Sequence, residues 1–277
     1  MKETKGLITI SIGEKYVKQA KYLAYSCMLN SPHTIRAVIT DQPECLKNFY
    51  DIVIPFETKN DDPFSVKTRL YQYAPFEKTL FLDADTLVAS NLDSYFEKLN
   101  NYSFAYEGKI INSGEWYADI KGLCETLNLP GVPKFNSGML LFKKTEFVEK
   151  IFTDAYYYFM NHKKEGITIP YFRGKFFPDE PFFSISFAKN NLNPIEDYGR
   201  FSRTLIDANR IRVNIVKGYI SFYKNNHTYF PLTVHLCGKF GNIIYIREKI
   251  RLFFYFNSLT DILFTGFLSL ARNFIKN

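Results

Sequence analysis

The chain has 277 residues, of which 46% are hydrophobic, and its formal net charge of +7 gives a sequence pI near 9.0. This length suits one α/β domain with a smaller appendage, and the hydrophobic content excludes a disordered chain. The four cysteines are scattered, which argues against a disulfide framework and a structural zinc and favours a reducing compartment. The positive charge favours anionic partners, whether phosphorylated small molecules, acidic lipid surfaces or nucleic acid.

The first 55 residues alternate between strand and helix patterns. We predict strands over residues 6–11, 35–40 and 51–55, with an amphipathic helix between the first two and a short helical piece before the third. This order is typical of a doubly wound, mostly parallel sheet flanked by helices. The apolar run at residues 7–12 is too short and too interrupted for a signal peptide, so we expect a cytoplasmic protein.

The turn after the first strand lacks the glycine patterns of the common nucleotide-binding folds. Residues 11–16 contain neither Gly-x-Gly-x-x-Gly nor Gly-Lys-Ser/Thr, so any phosphate must be held by other means. Lys67 and Arg69, on a helix predicted over residues 66–73, are candidates to touch a diphosphate or a sugar. Solvated charges on a helix surface are the simpler interpretation of both residues.

Residues 78–88 carry the strongest chemical signal in the chain. The apolar run at residues 80–82 is typical of a strand buried on both faces, and Asp83 and Asp85 follow at its end. Residues two apart in an extended segment project to the same side, at the edge where open α/β sheets bind ligands. Two such carboxylates repel unless a cation or protons neutralise them, which favours a divalent ion held by oxygen ligands. A solvated turn after the strand is the alternative.

Three later segments add polar candidates. Residues 136–138 (Asn-Ser-Gly) open a buried strand, where glycine permits close approach of a ligand and the polar side chains suit hydroxyls, although such a tripeptide is also an ordinary turn. Asp179 and Glu180 precede a helix predicted over residues 182–188 and either cap it or take part in catalysis. His235 ends a predicted strand, and we expect it to be structural unless it completes the ligand set of the two aspartates.

Two further stretches are predicted only in outline. Residues 108–134 show no clear period, and a loop of that size in a compact domain is either functional or hides unrecognised elements. Residues 246–277 form a basic, aromatic tail after a catalytic domain predicted over residues 1–245. We expect the tail to be an amphipathic segment lying in an anionic membrane surface, or a helix packed on the domain or a partner. Asp261 and several polar residues make a membrane-spanning helix the weaker interpretation.

The ordered motifs resemble those of glycosyltransferases of the GT-A fold, and they are most similar to the glycogenin and bacterial lipooligosaccharide galactosyltransferase family. Residues 81–88 (Phe-Leu-Asp-Ala-Asp-Thr-Leu-Val) resemble the Asp-x-Asp strand of that family. Residues 135–139 (Phe-Asn-Ser-Gly-Met) resemble its Asn-Ser-Gly segment, and residues 234–238 (Val-His-Leu-Cys-Gly) its late His-x-x-Gly. The resemblance runs from about residue 6 to residue 241 and implies a Rossmann-like GT-A domain with a C-terminal amphipathic helical segment.

This resemblance implies roles for the candidate residues. Asp83, Asp85 and His235 would ligate a divalent ion, manganese or magnesium, that bridges the two phosphates of a UDP-sugar. The residues implied to border this donor are Ile10, Ser11, Tyr16, Lys67, Asn136, Ser137, Gly138, Gly238 and Lys239, with Tyr16 against the uracil and the Asn-Ser-Gly segment against the sugar. Asp179 and Glu180 would stand beside the anomeric carbon.

Two departures from the family pattern affect these roles. Glu180 replaces the usual glutamine and supplies either a nucleophile or only a hydrogen bond. The family's Lys-Pro-Trp after His-x-x-Gly is absent, and Lys239 stands in a different register.

The function that these motifs predict is metal-dependent transfer of a sugar from a nucleoside diphosphate to an acceptor hydroxyl of a glycan, glycolipid or protein. Retention at the anomeric carbon is implied by the resemblance alone. The alternatives are an inverting transferase, a sugar-nucleotide hydrolase, or a non-catalytic protein that binds sugar nucleotides or a membrane surface. No recognisable module supports nucleic-acid binding.

Overall fold

The computed structural model describes residues 4–57, 65–169, 177–196 and 200–257. Strands carry the framework of these residues, and they are β1 Lys5–Ser11, β2 Ile35–Thr40, β3 Ile52–Pro55, β4 Lys78–Leu82, β5 Thr86–Val88, β6 Phe104–Ala105, β7 Gly108–Ile111, β8 Val132–Phe135, β9 Met139–Lys143, β10 Arg203–Thr204, β11 Asn209–Asn214, β12 Tyr219–Lys224, β13 His227–Tyr229 and β14 Thr233–His235. The helices are α1 Glu14–Asn30, α2 Pro43–Leu46, α3 Ser65–Thr68, α4 Leu70–Tyr73, α5 Asp93–Lys98, α6 Ile120–Leu127, α7 Glu146–Asn161, α8 Glu180–Lys189 and α9 Gly238–Phe256, with a 3₁₀ turn at Ile215–Lys217.

A six-stranded sheet in the order β3-β2-β1-β4-β9-β6 forms the centre of the fold. Strands β1 to β4 are parallel to one another, and β9 runs antiparallel to both β4 and β6. Leu80, Phe81 and Leu82 of β4 are completely buried, as expected for a strand covered on both faces. The predicted α/β class with a mostly parallel sheet is therefore confirmed, and β1 and β4 end side by side at its carboxyl edge.

A smaller sheet brings a distant part of the chain to the same edge. In the order β10-β14-β5, strand β14 runs antiparallel to β5, with His235 paired to Thr86. The Leu236 N–H donates to the Asp85 carbonyl at 3.1 Å, and the Asp83 N–H donates to the Gly138 carbonyl at 3.0 Å. These backbone bonds join the ends of β4 and β14 and the turn before β9 into one cluster.

Helix α8 is an interior helix, and its packing fixes the residues at its start. Phe187 stacks on Tyr106 with ring centroids 4.3 Å apart, and it also contacts Phe104 and Phe135 from the central sheet and β8. Every residue from 180 to 187 is buried. Aromatic groups of this size dominate core energetics, so α8 cannot shift without losing much of the core.

The structure corrects two details of the sequence-based prediction. The single helix expected over residues 66–73 is two short helices, because Arg69 leaves the α-helical region with φ −105° and ψ 7°. Arg69 takes part in two hydrogen bonds between residues three apart, since its N–H donates to the Val66 carbonyl and its carbonyl accepts from the Gln72 N–H. These bonds interrupt the α-helical ladder. Residues 108–134, which showed no period, contain the antiparallel pair β7 and β8 with α6 between them.

The C-terminal helix α9 passes through the boundary predicted between residues 245 and 246. Its inner face is part of the core, since Glu248 and Leu252 are completely buried. The Ile215 N–H donates to Glu248 Oε2 at 2.9 Å, and Arg251 donates to Glu248 Oε1 at 2.7 Å. Residues 246–256 thus belong to a packed helix, whereas residues 258–277 of the predicted tail lie outside the described residues. Among the helices that the structure describes, none is long and apolar enough to cross a bilayer.

Candidate active site

The two aspartates and the late histidine meet at the carboxyl edge of the central sheet. His235 Nε2 lies 3.0 Å from Asp85 Oδ1 and 3.7 Å from Asp83 Oδ2. One ligand atom from each residue can be chosen so that all three atoms lie within 4.8 Å of one another. Residues separated by 150 positions in the chain therefore form the donor set that the sequence pattern suggested for a divalent cation.

The protonation of this trio reflects its shared burial. Burial raises the pKa of Asp83 above its usual value, although the charges of Lys67 and His235 oppose the shift. Burial acts the same way on Asp85, but the hydrogen bond and charge of His235 outweigh it and hold the pKa of Asp85 below normal. Burial lowers the pKa of His235, yet the hydrogen bond to Asp85 and the nearby carboxylates raise it overall.

Lys67 is an internal cation that joins the aspartate cluster to the start of α8. Its Nζ lies 3.0 Å from Asp83 Oδ1 and 3.4 Å from Asp179 Oδ2, and it donates to Ser137 Oγ at 3.1 Å. The side chain is buried, so it is not the solvated helix charge that the sequence also allowed. Burial would lower the pKa of Lys67, but the two aspartates raise it above normal. Arg69, the other cation, packs over the Tyr156 ring of α7.

Glu180 is held by several hydrogen-bond donors. Its Oε1 accepts from Asn136 Nδ2 at 2.9 Å and from the Ser137 N–H at 3.0 Å, and its carboxylate also accepts from the Tyr117 hydroxyl. Burial, and next the charge of Asp179, raise the pKa of Glu180 to about 7 in spite of these donors. The side chain is thus oriented tightly and carries a proton far more readily than an ordinary glutamate.

Tyr117 is a site residue that the sequence analysis missed. It lies between β7 and α6 with φ 58°, a conformation that is a real outlier for a bulky residue, and it packs against Trp116. Burial raises the pKa of its hydroxyl, and the charge of Glu180 raises it further. The aromatic pair in a stretch without periodicity was the one available signal, because the contact partner is 63 positions away.

Asp179 stands directly before α8, but its side chain does not cap that helix. The backbone carbonyl of Asp179 accepts from Phe182 and Phe183, while its buried Oδ2 accepts no hydrogen bond from the described residues. The nearest described charge is Lys67 Nζ. Lys67 therefore links the Asp179 carboxylate to the cluster of Asp83, Asp85 and His235.

The remaining candidates lie around the same sheet edge. Ser11, at the end of β1, is completely buried, and its hydroxyl has no partner among the described residues. Ile10 is half-buried, and Tyr16 in the first turn of α1 is exposed. Gly238 begins α9 with φ +79°. Lys239 follows within α9, but its side chain lies outside what the structure describes.

The charges of the cluster suit a bound divalent cation. Asp83, Asp85 and Asp179 supply three negative charges when ionised, and Lys67 supplies one positive charge, with Glu180 protonated and His235 in the neutral form that a metal ligand requires. Three minus one leaves an excess of two negative charges, which one divalent ion balances. Two carboxylates and an imidazole nitrogen are ligands that Mn²⁺ accepts, and Mg²⁺ suits the carboxylates.

Replacing Glu180 by glutamine is expected to raise the free energy of unfolding by about 3 kcal/mol near pH 8.5, measured by urea denaturation with a chelator present. The pKa of Glu180 is about 7 in the folded protein against an ordinary 4.5, so the wild type loses stability as the pH rises from 4.5 to about 7, and the loss is complete above that range. Glutamine keeps an oxygen for Asn136 and Ser137 without a buried charge. Near pH 4, where wild-type Glu180 is protonated in both states, the two proteins should be equally stable; a gain that is independent of pH would contradict this account.

Comparison with known proteins agrees with the geometry. Residues 64–196 match the family model described as Glycosyl transferase family 8. Galactinol synthase 6 of Arabidopsis thaliana is 25% identical over 157 residues, covering 50% of this chain and 46% of that protein. The chain thus spans about half the length of the curated relative that it matches.

Two solved structures show the same fold. The galactosyltransferase LgtC, in complex with donor and acceptor sugar analogs, matches with a TM-score of 0.57 at 15% identity, covering 88% of this chain and 95% of that chain. The bifunctional glycosyltransferase WbbM matches with a TM-score of 0.54 at 12% identity, covering 86% of this chain and 46% of that chain. The predicted resemblance is confirmed: the chain has the GT-A fold of these glycosyltransferases, and residues 64–196 match a glycosyltransferase family model.

Proposed function

We propose that the chain transfers a sugar from a nucleoside diphosphate, UDP, to a hydroxyl of a glycan, glycolipid or protein acceptor in a metal-dependent reaction. The single observation that carries this proposal is the convergence of Asp83, Asp85 and His235 beside the buried Lys67. Such a cluster, at the carboxyl edge of a parallel sheet, is where ligands of α/β folds bind. The match of residues 64–196 to the glycosyltransferase model adds the reaction class.

The leaving diphosphate is the group that this site is built to accept. Asp83, Asp85 and His235 would hold manganese or magnesium, which when bound supplies Lewis-acid stabilisation of the charge on the leaving group. Lys67 adds a positive charge that is already fixed by Asp83 and Asp179, so little reorganisation is needed as charge develops. Lys239, in α9, is the second cation proposed for the phosphates.

The nucleoside and the sugar are assigned to opposite ends of the cluster. Tyr16 is exposed in the first turn of α1 and offers a ring for the uracil, with Ile10 and Ser11 bordering the nucleoside at the end of β1. The turn at residues 136–138 and Asp179 border the sugar in this proposal, and the Asp179 carboxylate, which also pairs with Lys67, would accept from a sugar hydroxyl. Gly238, at the start of α9, is the glycine proposed to border the donor.

Retention at the anomeric carbon is part of the proposal and has two routes. In one, Asp179 or Glu180 forms a covalent adduct; in the other, the acceptor attacks on the face of the leaving phosphate, which takes its proton. Glu180 is held by Asn136 and Ser137 through one oxygen, whereas Asp179 is held by Lys67, which lies 3.4 Å from its Oδ2. A sugar beside Asp179 would therefore share this carboxylate with Lys67.

The test is release of UDP from a panel of UDP-sugars, with and without manganese, using the wild type and His235→Ala. We expect manganese-dependent release with one or more donors, increased by acceptor and lost in the variant. Release that is unaffected by any acceptor, with free sugar as the product, would indicate a hydrolase instead. Binding of UDP and manganese without turnover of any donor would indicate a sugar-nucleotide binding protein.

The outer face of α9 supports a second proposal, that the chain docks peripherally on an anionic membrane surface in the cytoplasm. Apolar side chains spaced three or four apart are exposed along this face, and they are Phe240, Ile243, Ile246, Ile250, Phe253 and Phe254. Arg247 and Arg251 are partly exposed beside this face while they bond the buried Glu248, the one carboxylate of the helix, and Lys249 lies over the Tyr22 ring of α1. Aromatic and basic groups on an exposed helix face suit the boundary between lipid headgroups and acyl chains.

Vesicle co-sedimentation tests this docking surface. We expect binding to phosphatidylserine-containing vesicles that weakens with salt, and about tenfold weaker binding after Ile250→Glu together with Phe254→Glu. Met160→Glu changes an exposed apolar residue of α7 and serves as the control that should bind normally. Equal binding by the double variant and the wild type would contradict the proposal.

A further inference from the structure

We infer that Asn136 is a positioning residue: it sets the tautomer of the metal-ligand histidine and ties that histidine to Glu180. The inference deepens the proposed function and rests on it. The family resemblance implies a place beside the sugar for Asn136, but both polar atoms of its side chain are already engaged by protein groups. Oδ1 lies 2.9 Å from His235 Nδ1 and accepts from the Gly138 N–H at 3.2 Å, and Nδ2 donates to Glu180 at 2.9 Å.

The neighbours of the Asn136 amide leave it only one orientation. The Gly138 N–H is a donor and nothing else, so the side-chain atom that faces it must be the oxygen. The nitrogen then faces Glu180 Oε1, which accepts as a carboxylate. Reversing the amide would place N–H against N–H at one end and oxygen against oxygen at the other. Both ends of the amide thus give the same assignment.

This orientation determines which nitrogen of His235 carries a hydrogen. An oxygen with no hydrogen of its own lies 2.9 Å from Nδ1, so Nδ1 must donate to it. While His235 is protonated, Nε2 donates to Asp85 at 3.0 Å. When His235 loses that proton to bind a cation, the hydrogen on Nδ1 stays with Asn136 and the lone pair is left on Nε2, which faces Asp85 and Asp83. A hydrogen bond to the second ring nitrogen is how proteins fix the tautomer and the ring orientation of a metal-ligating histidine.

Gly138 allows the short contact between His235 and Asn136. A Cβ at this position would stand 2.4 Å from His235 Nδ1 and 2.8 Å from Asn136 Oδ1, closer than real Cβ atoms come to such neighbours. The imidazole therefore lies directly against the backbone of the turn. The Asn-x-Gly pattern has a physical reason here, because the first residue supplies the acceptor and the third leaves space for the ring.

The same amide joins the metal site to the catalytic pair. Its Nδ2–H and the Ser137 N–H converge on one oxygen of Glu180, while its oxygen holds His235. Hydrogen-bonded chains of this kind restrict each member to one geometry when every group is satisfied. The Asn136 side chain therefore sets both the orientation of Glu180 and the tautomer in which His235 can bind a cation.

Two variants of Asn136 separate the acceptor from the donor role. Asn136→Ala removes both, whereas Asn136→Asp keeps an acceptor for Gly138 and His235 but cannot donate to Glu180. We expect Mn²⁺ affinity, measured by the loss of free Mn²⁺ signal in electron paramagnetic resonance, to fall about 10- to 100-fold in Asn136→Ala. In Asn136→Asp we expect most of this affinity to return, while turnover remains low. Asn190→Ala removes a half-buried amide that bonds Asp154 and Ser186 on α7 and α8, and it should bind Mn²⁺ normally.

Nitrogen-15 NMR of labelled histidine gives a readout that needs neither metal nor turnover. At a pH where His235 is neutral, the metal-free wild type should show the tautomer with hydrogen on Nδ1, and Asn136→Ala should lose that preference. The opposite tautomer in the wild type, or unchanged Mn²⁺ affinity in Asn136→Ala, would overturn the inference. If the wild type shows the expected tautomer but binds no Mn²⁺, the proposed function fails while the positioning role of Asn136 stands.

Discussion

Replacing Asp85 by asparagine is expected to lower kcat/KM for manganese-dependent sugar transfer by at least about 10³-fold, or about 4 kcal/mol of transition-state stabilisation. Asparagine keeps the shape and the backbone contact to Leu236 but removes the carboxylate that faces His235 Nε2 at 3.0 Å. The leaving diphosphate then lacks one of the charged ligands that would hold its counter-cation. Steady-state kinetics over a range of Mn²⁺ concentrations measure this loss.

Stability provides the control for Asp85→Asn. His235 holds the pKa of Asp85 below normal in the folded protein, so ionised Asp85 stabilises the fold and its loss should lower the free energy of unfolding modestly, while the protein stays folded. Asp93→Asn removes an exposed carboxylate that pairs with Lys5 and should keep full activity. If Asp85→Asn transfers sugar at the wild-type rate with the same Mn²⁺ dependence, the aspartate pair is not the metal site.

Replacing Lys67 by methionine is expected to lower the free energy of unfolding by about 3–5 kcal/mol near pH 8 without metal, because removal of one partner strands buried charges. Lys67 Nζ is the described cation between Asp83 and Asp179, and the side chain is buried among them. The difference in free energy of unfolding between Lys67→Met and the wild type should become smaller as the pH falls, because the carboxylates take up protons. Urea denaturation across the pH range measures both effects.

Added Mn²⁺ distinguishes this electrostatic cost from a packing defect. A divalent ion bound to Asp83 compensates part of the lost charge, so Mn²⁺ should restore more stability to Lys67→Met than it adds to the wild type. Lys18→Met removes an exposed cation paired with Glu14 and should change little. If Lys67→Met is as stable as the wild type at pH 8, the carboxylates are not compensated by Lys67.

Elements that depend on nearby residues were predicted well from the sequence. Asp83 and Asp85 follow a strand whose burial on both faces is evident from its composition, so their convergence follows from the pleat. The helical region over residues 66–73 was predicted at the right place but as one continuous helix, because no residue near Arg69 is a typical helix breaker. The caps of α6, Asp119 and Asn128, are visible in the sequence, but its eight residues are too few for a clear period.

The internal contacts of the site depend on tertiary packing and could not be predicted. Residue types alone left His235 either structural or metal-ligating, and only the pairing of β14 with β5 places it beside Asp85. Tyr117 reaches Glu180 because α8 packs beneath β8, and the sequence does not encode that juxtaposition in any local pattern. The same holds for Asn136, whose bonds join residues 44 and 99 positions away.

The C-terminal helix shows how one sequence pattern can serve two surfaces. The basic, aromatic pattern of residues 246–277 predicted either an amphipathic segment in a membrane surface or a packed helix. The structure packs the side that carries Leu252 and Glu248 and leaves the side that carries Ile246 and Ile250 exposed. Composition alone could not show which face of α9 is buried, because both faces carry apolar residues. The packing of α9 against the rest of the domain decides it.

Electron–nuclear double resonance of Mn²⁺ bound to the protein together with UDP tests the central claim most directly. The account predicts nitrogen-14 coupling from the His235 imidazole and phosphorus-31 coupling from the diphosphate on the same ion. His235→Gln should lose the nitrogen coupling and keep the phosphorus coupling wherever Mn²⁺ still binds. A Mn²⁺–UDP complex on the wild type without nitrogen coupling, or with coupling that persists in His235→Gln, would contradict a cation bridging this cluster and the leaving group.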